Sequence, residues 1–170
     1  IRAFIENTGI PFLPMSMAKG LLPDGHPQSV AAARSLALRN ADVVLLVGAR
    51  LNWLLGHGEP PQWSADVKFI QVDIESSELD SNAPIAGPLA GDIGSVMHAL
   101  AERTRHHVLT APSSWLAQLA ERSARNTAAM SKRLAEDTDP MRFYGALRAI
   151  RDALRDHPEA YVVNEGANAL

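Results

Sequence analysis

Two short apolar runs, residues 41–50 and 67–74, constrain the fold of this chain most. Both are rich in β-branched residues and lack the spaced polar positions of an exposed strand, so each is predicted to be a strand buried on both faces of a parallel sheet. Gly48 and Arg50 stand at the end of the first run, and Asp73 stands near the end of the second. Ligands of open α/β sheets bind beyond the carboxyl ends of the strands. A site is therefore expected there, with Gly48 letting a ligand approach the backbone.

Composition narrows the class of protein. Of the 170 residues, 46% are hydrophobic and 21% are charged, which disfavours disorder, and a net charge of -3 gives no reason to expect nucleic acid. No apolar run is long enough to span a bilayer, and the first residues resemble an amphipathic helix rather than a signal peptide. The absence of cysteine excludes disulfides and thiolate zinc sites and fits a cytoplasmic protein.

Short strands and helices alternate along the chain, which predicts an α/β fold with a parallel sheet up to about residue 109. The predicted helices are a first one that stops at Gly9, then 28–39, 93–103, 115–134 and a last one opened by Asp139-Pro140, with a helical turn at 76–79. The additional predicted strands are 10–13, one within 84–92, and 161–164.

Three regions follow from this pattern. Residues 1–109 are expected to form a parallel α/β domain that binds a nucleotide; the family resemblance described below implies that this domain is three-layer and Rossmann-like and that its first strand is missing. Residues 110–139 are expected to form a linker helix, and 140–170 the opening helix and strand of a second α/β domain. Since the chain opens on Ile1 inside a helix, we expect it to be part of a longer protein. Because the sheet is expected to lack its first strand, we expect the chain to be weakly stable in isolation.

Three segments at the predicted strand ends could together hold an adenosine diphosphate group: Gly48-Ala49-Arg50, Asp73-Ile74 and Asp92-Ile93. A carboxylate there can accept the hydroxyls of a ribose, and an arginine can grip a phosphate or stack on an adenine. The structural alternative is that Asp73 and Asp92 cap short helices and that Arg50 pairs with one of them. As a set, the residues favour the nucleotide, although no G-x-G-x-x-G fingerprint occurs.

Other residues with chemical potential are interpreted structurally. Lys19 is expected to face solvent, and His26 to cap the helix that follows it. Trp53 and Trp63 are expected to pack in the interior. The other five histidines lack metal-ligand spacing: His57, His98, His106, His107 and His157.

These motifs, in order, resemble the central domain of thiamine-diphosphate-dependent enzymes. The resemblance rests on 17–23 with His26-Pro27, on 41–50, on 71–74 and on Gly91-Asp92. Residues 49–53 look like the branch that acts on acyl-CoA substrates. Residues 78–86, followed by Gly91-Asp92-Ile93, are similar to oxalyl-CoA decarboxylases more than to 2-hydroxyacyl-CoA lyases, and 163–170 fit both groups.

The resemblance implies conversion of oxalyl-CoA to formyl-CoA and carbon dioxide by a homo-oligomer, a dimer or tetramer, that uses thiamine diphosphate and Mg²⁺ and binds ADP as an activator. Arg50, Asp73, Ile74 and Ile93 match positions that contact ADP, and Asp92 lies beside them. The turn that approaches the diphosphate of the thiamine cofactor is matched by Gly166, Ala167 and Asn168. The activating glutamate and the magnesium motif of the family are absent from these 170 residues, so the chain alone is expected to be inactive.

Three alternatives remain open from the sequence. The first is a 2-hydroxyacyl-CoA lyase, and the second is a non-catalytic module that senses adenine nucleotides. The third, an NAD-dependent protein deacylase, uses a related sheet but expects a four-cysteine zinc site, and the absence of cysteine counts against it.

Overall fold

The computed structural model describes residues 1–107 and 111–163. Its helices and strands, in chain order, are α1 (Arg2–Thr8), α2 (Arg34–Asn40), β1 (Val43–Val47), β2 (Lys68–Asp73), β3 (Ile85–Ala90), α3 (Ile93–Thr104), α4 (Ser113–Ala135) and α5 (Phe143–Arg155). Short 3-10 helices occupy Ser16–Ala18, Ala31–Ala33, Trp53–Gly58 and Ser76–Glu78. None of the described helices is both long and apolar enough to cross a membrane.

The three described strands form one parallel sheet in the order β1-β2-β3. Val47 of β1 lies opposite Val72, and Asp73 of β2 lies opposite Ala90 of β3. The carboxyl ends of all three strands therefore meet at one edge. The predicted α/β fold with a parallel sheet is confirmed.

The main hydrophobic cluster lies on the face of the sheet that carries Phe69. Its buried members are Leu38, Leu46, Leu51, Leu55, Trp63 and Phe69. The indole Nε1 of Trp63 donates to the carbonyl oxygen of Leu55 at 2.6 Å, and the two aromatic rings of Trp63 and Phe69 meet edge to face at 5.0 Å. The predicted interior role of Trp63 is thus confirmed, and its one polar atom is satisfied inside the cluster.

The strands β2 and β1 differ in how much of their side chains is buried. Phe69 and Val72 point to opposite faces of β2 and are 2% and 0% exposed, so β2 is buried on both sides as predicted. In β1 only Leu46 is buried, and Val43 is 54% exposed. The prediction of full burial is wrong for β1, an edge strand of the described sheet whose faces are only partly covered.

The predicted strand at 10–13 is reduced to an isolated parallel bridge between Phe12 and Ser29. The amide of Phe12 donates to the carbonyl of Gln28 at 3.0 Å, and the amide of Val30 donates to the carbonyl of Phe12 at 3.1 Å. This pairing holds residues 28–30 extended, so the helix predicted from 28 begins as a 3-10 turn at Ala31 and continues as α2.

The compact units into which the chain divides are Ile1–Ala124 and Arg125–Leu170. In the second unit, Arg148 of α5 donates to the carbonyl of Leu134 at 3.3 Å and to Asp137 at 2.6 Å, which ties the two helical segments together. Its helix α5 begins at Phe143 with Arg142 at the N-cap, so the predicted start at Asp139-Pro140 is wrong. The domain boundaries at 109 and 139 stay predictions.

The last predicted strand, 161–164, is wrong for the part that is described. Tyr161 and Val163 are 99% and 94% exposed, and residues 161–163 take part in no strand. Apolar, β-branched residues favour a strand only when a neighbour pairs with them, and no such neighbour stands among the described residues. Asn164 lies outside the described residues.

Candidate functional site

Backbone hydrogen bonds continue past the ends of the strands and hold the three carboxyl ends together. The amide of Gly48, just after β1, donates to the carbonyl of Val72 at 2.9 Å. The amide of Gly91, just after β3, donates to the carbonyl of Asp73 at 3.0 Å. Asp73 therefore stands in the centre of this edge, between the chains that leave β1 and β3.

Arg50 and Asp73 meet at this edge in an ion pair, which the sequence analysis gave as the structural alternative to a nucleotide site. Arg50 Nε donates to Asp73 Oδ2 at 3.3 Å, and Arg50 Nη1 lies 3.1 Å from Glu78 Oε1. The hydrogen bond with Asp73, above all, raises the pKa of Arg50, and the negative charges of Glu78, Asp73 and Glu75 add to it, while burial opposes it. A guanidinium is charged at any physiological pH. The surrounding carboxylates favour this charged form.

The Asp73 carboxylate is buried although it is ionisable. Its residue is 4% exposed, its Oδ1 accepts the amide of Glu75 at 3.0 Å, and its Oδ2 accepts Arg50 Nε. A carboxylate offers about four lone-pair positions, so each oxygen retains acceptor capacity after these two bonds. Asp73 is therefore fixed in orientation, and its oxygens keep lone pairs that these two hydrogen bonds do not use.

Glu78 belongs to this cluster, and the sequence analysis did not assign it to the site. It follows β2 by five residues and is brought back by the 3-10 turn Ser76–Glu78, where Gln71 Nε2 donates to its carbonyl at 3.3 Å. The only local signal was a carboxylate in a short helical turn next to a buried strand. Its contact with Arg50 depends on how that turn folds back.

Asp92 has the structural role that the sequence left as the alternative. Its carboxylate Oδ1 accepts the amide of Ser95 at 2.8 Å and the hydroxyl of Ser95 at 3.0 Å, which caps the amino end of α3. The hydrogen bond from the Ser95 amide, followed by that from its hydroxyl, lowers the pKa of Asp92, while burial opposes this shift and the Gly94 amide adds to it. The hydrogen bond from the Ser95 amide is the one that an N-cap side chain accepts at the start of a helix.

The two isoleucines predicted to flank a base lie in different surroundings. Ile74 is 67% exposed directly after Asp73, so its side chain is open to a ligand. Ile93 is half-buried, and a Cβ at Gly48 would lie 2.6 Å from its Cδ1. Gly48 also has φ of +65°. The interpretation that Gly48 leaves space for a ligand is therefore wrong, because Ile93 occupies that space and the backbone conformation itself favours glycine.

The remaining candidates fall outside this cluster. Lys19 is exposed, as expected. His26 accepts the amide of Gln28 at 3.3 Å in a turn, and since α2 starts later it does not cap a helix. Trp53 is 74% exposed, so its predicted interior role is wrong: it opens a 3-10 turn whose inward residue is Leu55. Gly166, Ala167 and Asn168 lie outside the described residues.

Within residues 1–107 and 111–163, no group of three or more histidine, aspartate or glutamate side chains is arranged to hold a metal ion. The side chains at the strand ends offer groups that can recognise a ligand. A buried carboxylate can accept hydroxyl groups, and a half-exposed guanidinium, with 44% of its side chain accessible, has donors beyond the two used for carboxylates.

Comparison with models of known protein families shows the class of protein to which the chain belongs. Residues 1–100 match the family model described as "Thiamine pyrophosphate enzyme, central domain". This chain belongs to the thiamine pyrophosphate enzymes, and the family recognised from its motifs is confirmed.

The names of the similar proteins are those of enzymes that act on acyl-CoA substrates. The chain is 54% identical over 170 residues to the oxalyl-CoA decarboxylase of Escherichia coli (strain K12), covering 100% of the chain and 30% of that protein. It is 45% identical over 170 residues to the 2-hydroxyacyl-CoA lyase of Oryza sativa subsp. japonica, covering 98% of the chain and 29% of that protein. For the human 2-hydroxyacyl-CoA lyase 1 the identity is 42% over 173 residues, covering 100% and 29%. The chain spans about 30% of the length of these relatives.

Proposed function

We propose that this chain is part of an enzyme that decarboxylates oxalyl-CoA to formyl-CoA and carbon dioxide in oxalate catabolism, and that the strand ends bind ADP as an activator. The greater identity to the oxalyl-CoA decarboxylase, 54% against 45% for a 2-hydroxyacyl-CoA lyase, supports the choice of reaction. The ADP site rests on one observation, the buried carboxylate of Asp73 held by Arg50 at the carboxyl end of the central strand.

In this proposal the roles of the site residues follow from their geometry. Asp73 accepts the ribose hydroxyls on lone pairs left by its two internal hydrogen bonds. Arg50 uses its remaining donors for a phosphate, or its plane for the adenine. Ile74 and Ile93 flank the base, and Asp92 positions α3 beside it through its cap.

Thiamine diphosphate with Mg²⁺ is the proposed cofactor, and it supplies the electron sink for loss of carbon dioxide. Gly166, Ala167 and Asn168 are proposed to approach its diphosphate. The full-length protein is proposed to be a cytoplasmic homo-oligomer, either a dimer or a tetramer.

A 2-hydroxyacyl-CoA lyase is the second candidate, supported by identities of 45% and 42% over nearly the whole chain. The full-length protein, incubated with thiamine diphosphate and Mg²⁺, is given oxalyl-CoA or a long-chain 2-hydroxyacyl-CoA, and acyl-CoA products are measured by mass spectrometry. Steady release of formyl-CoA from oxalyl-CoA is expected. Cleavage of the 2-hydroxyacyl-CoA alone would favour the lyase, and nucleotide binding without either reaction would favour a sensor.

The nucleotide is tested by calorimetry of the full-length protein with ADP, FAD and NAD. ADP is expected to bind, and Asp73→Asn is expected to weaken it at least about tenfold, because a hydrogen bond to a charged group contributes about 1.5–3 kcal/mol. The matched control is Asp66→Asn, which removes the same charge from an exposed site just before the amino end of β2. Equal affinity of wild type and Asp73→Asn would refute the site.

A further inference from the structure

The carboxyl end of β2 carries more negative than positive charge. Arg50 contacts two carboxylates, Asp73 at 3.3 Å and Glu78 at 3.1 Å. Glu75, two residues after Asp73, is close enough that its charge adds to the raised pKa of Arg50. One guanidinium among three carboxylates leaves an excess of two negative charges around the position at which a ribose would meet Asp73.

This balance matters because ribose groups differ in charge. Sites that accept a free ribose present an acid to its hydroxyls, whereas sites that accept a phosphorylated ribose place an arginine there. Here the arginine nearest to the acid is already engaged by both Asp73 and Glu78. The proposed function assigns the remaining donors of Arg50 to the 5′ phosphates of ADP. A further phosphate on the ribose would therefore be brought against Asp73, Glu75 and Glu78 with no other cation of this cluster to receive it.

We propose that the strand-end site selects adenine nucleotides with both ribose hydroxyls free and rejects those that carry a ribose phosphate. The nucleotide half of coenzyme A is a 3′-phosphorylated ADP, so this selectivity keeps an acyl-CoA substrate out of the ADP site by its nucleotide. The inference rests on the proposed ADP function and adds to it a rule for which nucleotides are accepted.

Glu78 carries much of this selectivity, since it is half-buried with 34% of its side chain exposed and pairs directly with Arg50. Glu78→Gln keeps the length of the side chain and an oxygen that can accept from Arg50, but removes one charge. Glu102→Gln is the matched control, because Glu102 also pairs with an arginine, Arg105, at an exposed position in α3. Glu75→Gln is a second variant at an exposed residue and does not disturb the contact between Arg50 and Glu78.

The test is calorimetry of the full-length protein with ADP, with adenosine 3′-phosphate 5′-diphosphate and with its 2′-phosphate isomer. ADP is expected to bind at least about tenfold more tightly than either phosphorylated form, because like charges brought together at a binding site are unfavourable, although less so where the site is partly open to solvent. Glu78→Gln and Glu75→Gln are each expected to reduce that ratio at least about threefold, and added salt is expected to reduce it too. Glu102→Gln is expected to leave it unchanged.

Equal affinity, within about twofold, for ADP and the 3′-phosphorylated form would overturn the selectivity while leaving the ADP site intact. Failure of ADP itself to bind would overturn the proposed site and the selectivity with it. Thermal melting of each variant checks that it is folded, and if Glu78→Gln is not, an unchanged ratio in Glu75→Gln overturns the role of the acidic cluster.

Discussion

The β2 strand and the α5 helix both carry apolar side chains at the spacing of their element, but only β2 buries them. In β2, Phe69 and Val72 are 2% and 0% exposed and face opposite sides of the sheet. In α5, apolar side chains at helical spacing form a stripe, Phe143, Leu147, Ile150 and Leu154, that is largely open, with Phe143 at 61% and Ile150 at 55% exposure. A periodic pattern thus identifies which face of an element is apolar, but it does not tell what covers that face.

The same difference in burial affects how firmly polar side chains are fixed. Asp73 is presented at the end of a strand with packed neighbours on both faces, so its carboxylate is fixed by Arg50 and by the amide of Glu75. On α5 the ion pair of Arg151 with Asp152 joins adjacent residues that are each nearly half exposed. Exposed pairs of that kind contribute little to stability. Precise polar geometry in this chain goes together with the rigid sheet.

The sharpest test of this contrast compares Phe69→Ala with Ile150→Ala. Phe69→Ala leaves a cavity beside Trp63 in the main cluster and is expected to reduce the free energy of unfolding by about 3–5 kcal/mol. Ile150→Ala removes a half-exposed side chain and is expected to change it by no more than about 0.5 kcal/mol. Both values come from urea denaturation of the 170-residue chain followed by circular dichroism.

If Phe69→Ala leaves no folded chain to titrate, Phe69→Leu provides the smaller change at the same position. A loss at Ile150 as large as the loss at Phe69 would contradict the contrast, because it would mean that the α5 stripe is buried in solution.

Local patterns predicted much of the fold. The sheet strands, the α3 helix and the stop of α1 at Gly9, with φ of +68°, all depend on neighbouring residues in sequence and were predicted. The bridge between Phe12 and Ser29 was not, because a pairing across 17 positions overrides the helical preference of residues 28–30. The exposure of Trp53 likewise depends on a turn whose direction the sequence does not encode locally.

The candidate site divides in the same way. The proximity of Arg50 and Asp73 could be predicted, because carboxyl ends of adjacent parallel strands meet at one edge. The contribution of Glu78 could not, since it requires the turn after β2 to fold back onto Arg50. The reason for Gly48 was also hidden, because the atom that fills the space above it belongs to Ile93, far along the chain.

A second prediction concerns how tightly the strand ends are packed. Gly48→Ala places a Cβ 2.6 Å from Ile93 Cδ1 at a residue with φ of +65°. The strained backbone and the contact together are expected to cost about 1–3 kcal/mol of unfolding free energy. Gly25→Ala is the matched control, since nothing lies within 4 Å of the Cβ it would gain.

Adding Ile93→Val to Gly48→Ala shortens the side chain in contact and is expected to recover part of the loss, while the backbone contribution remains. Equal stability of Gly48→Ala and Gly25→Ala in urea denaturation would show that the strand end is loosely packed, which would remove the distinction drawn from β2.

The smallest expected effect concerns the cap of α3 and its dependence on pH. The pKa of Asp92 is lowered in the folded chain by the hydrogen bond from the Ser95 amide and then by that from the Ser95 hydroxyl. A group with a lowered folded pKa adds stability above its unfolded pKa, and that stability is lost as pH falls through the folded pKa, below about pH 4. Asp92→Asn keeps a good N-cap but cannot titrate. Urea denaturation should therefore show wild type more stable than Asp92→Asn near pH 7, with the two free energies of unfolding converging toward pH 3. In Ser95→Ala, which lacks the hydroxyl, the loss of stability between pH 7 and pH 3 should be smaller than in wild type. If the free energies of unfolding of wild type and Asp92→Asn stay parallel over this range, the Asp92 charge does not stabilise the start of α3. Of the two carboxylates, only Asp73 would then be held by its polar contacts in a way that matters for stability.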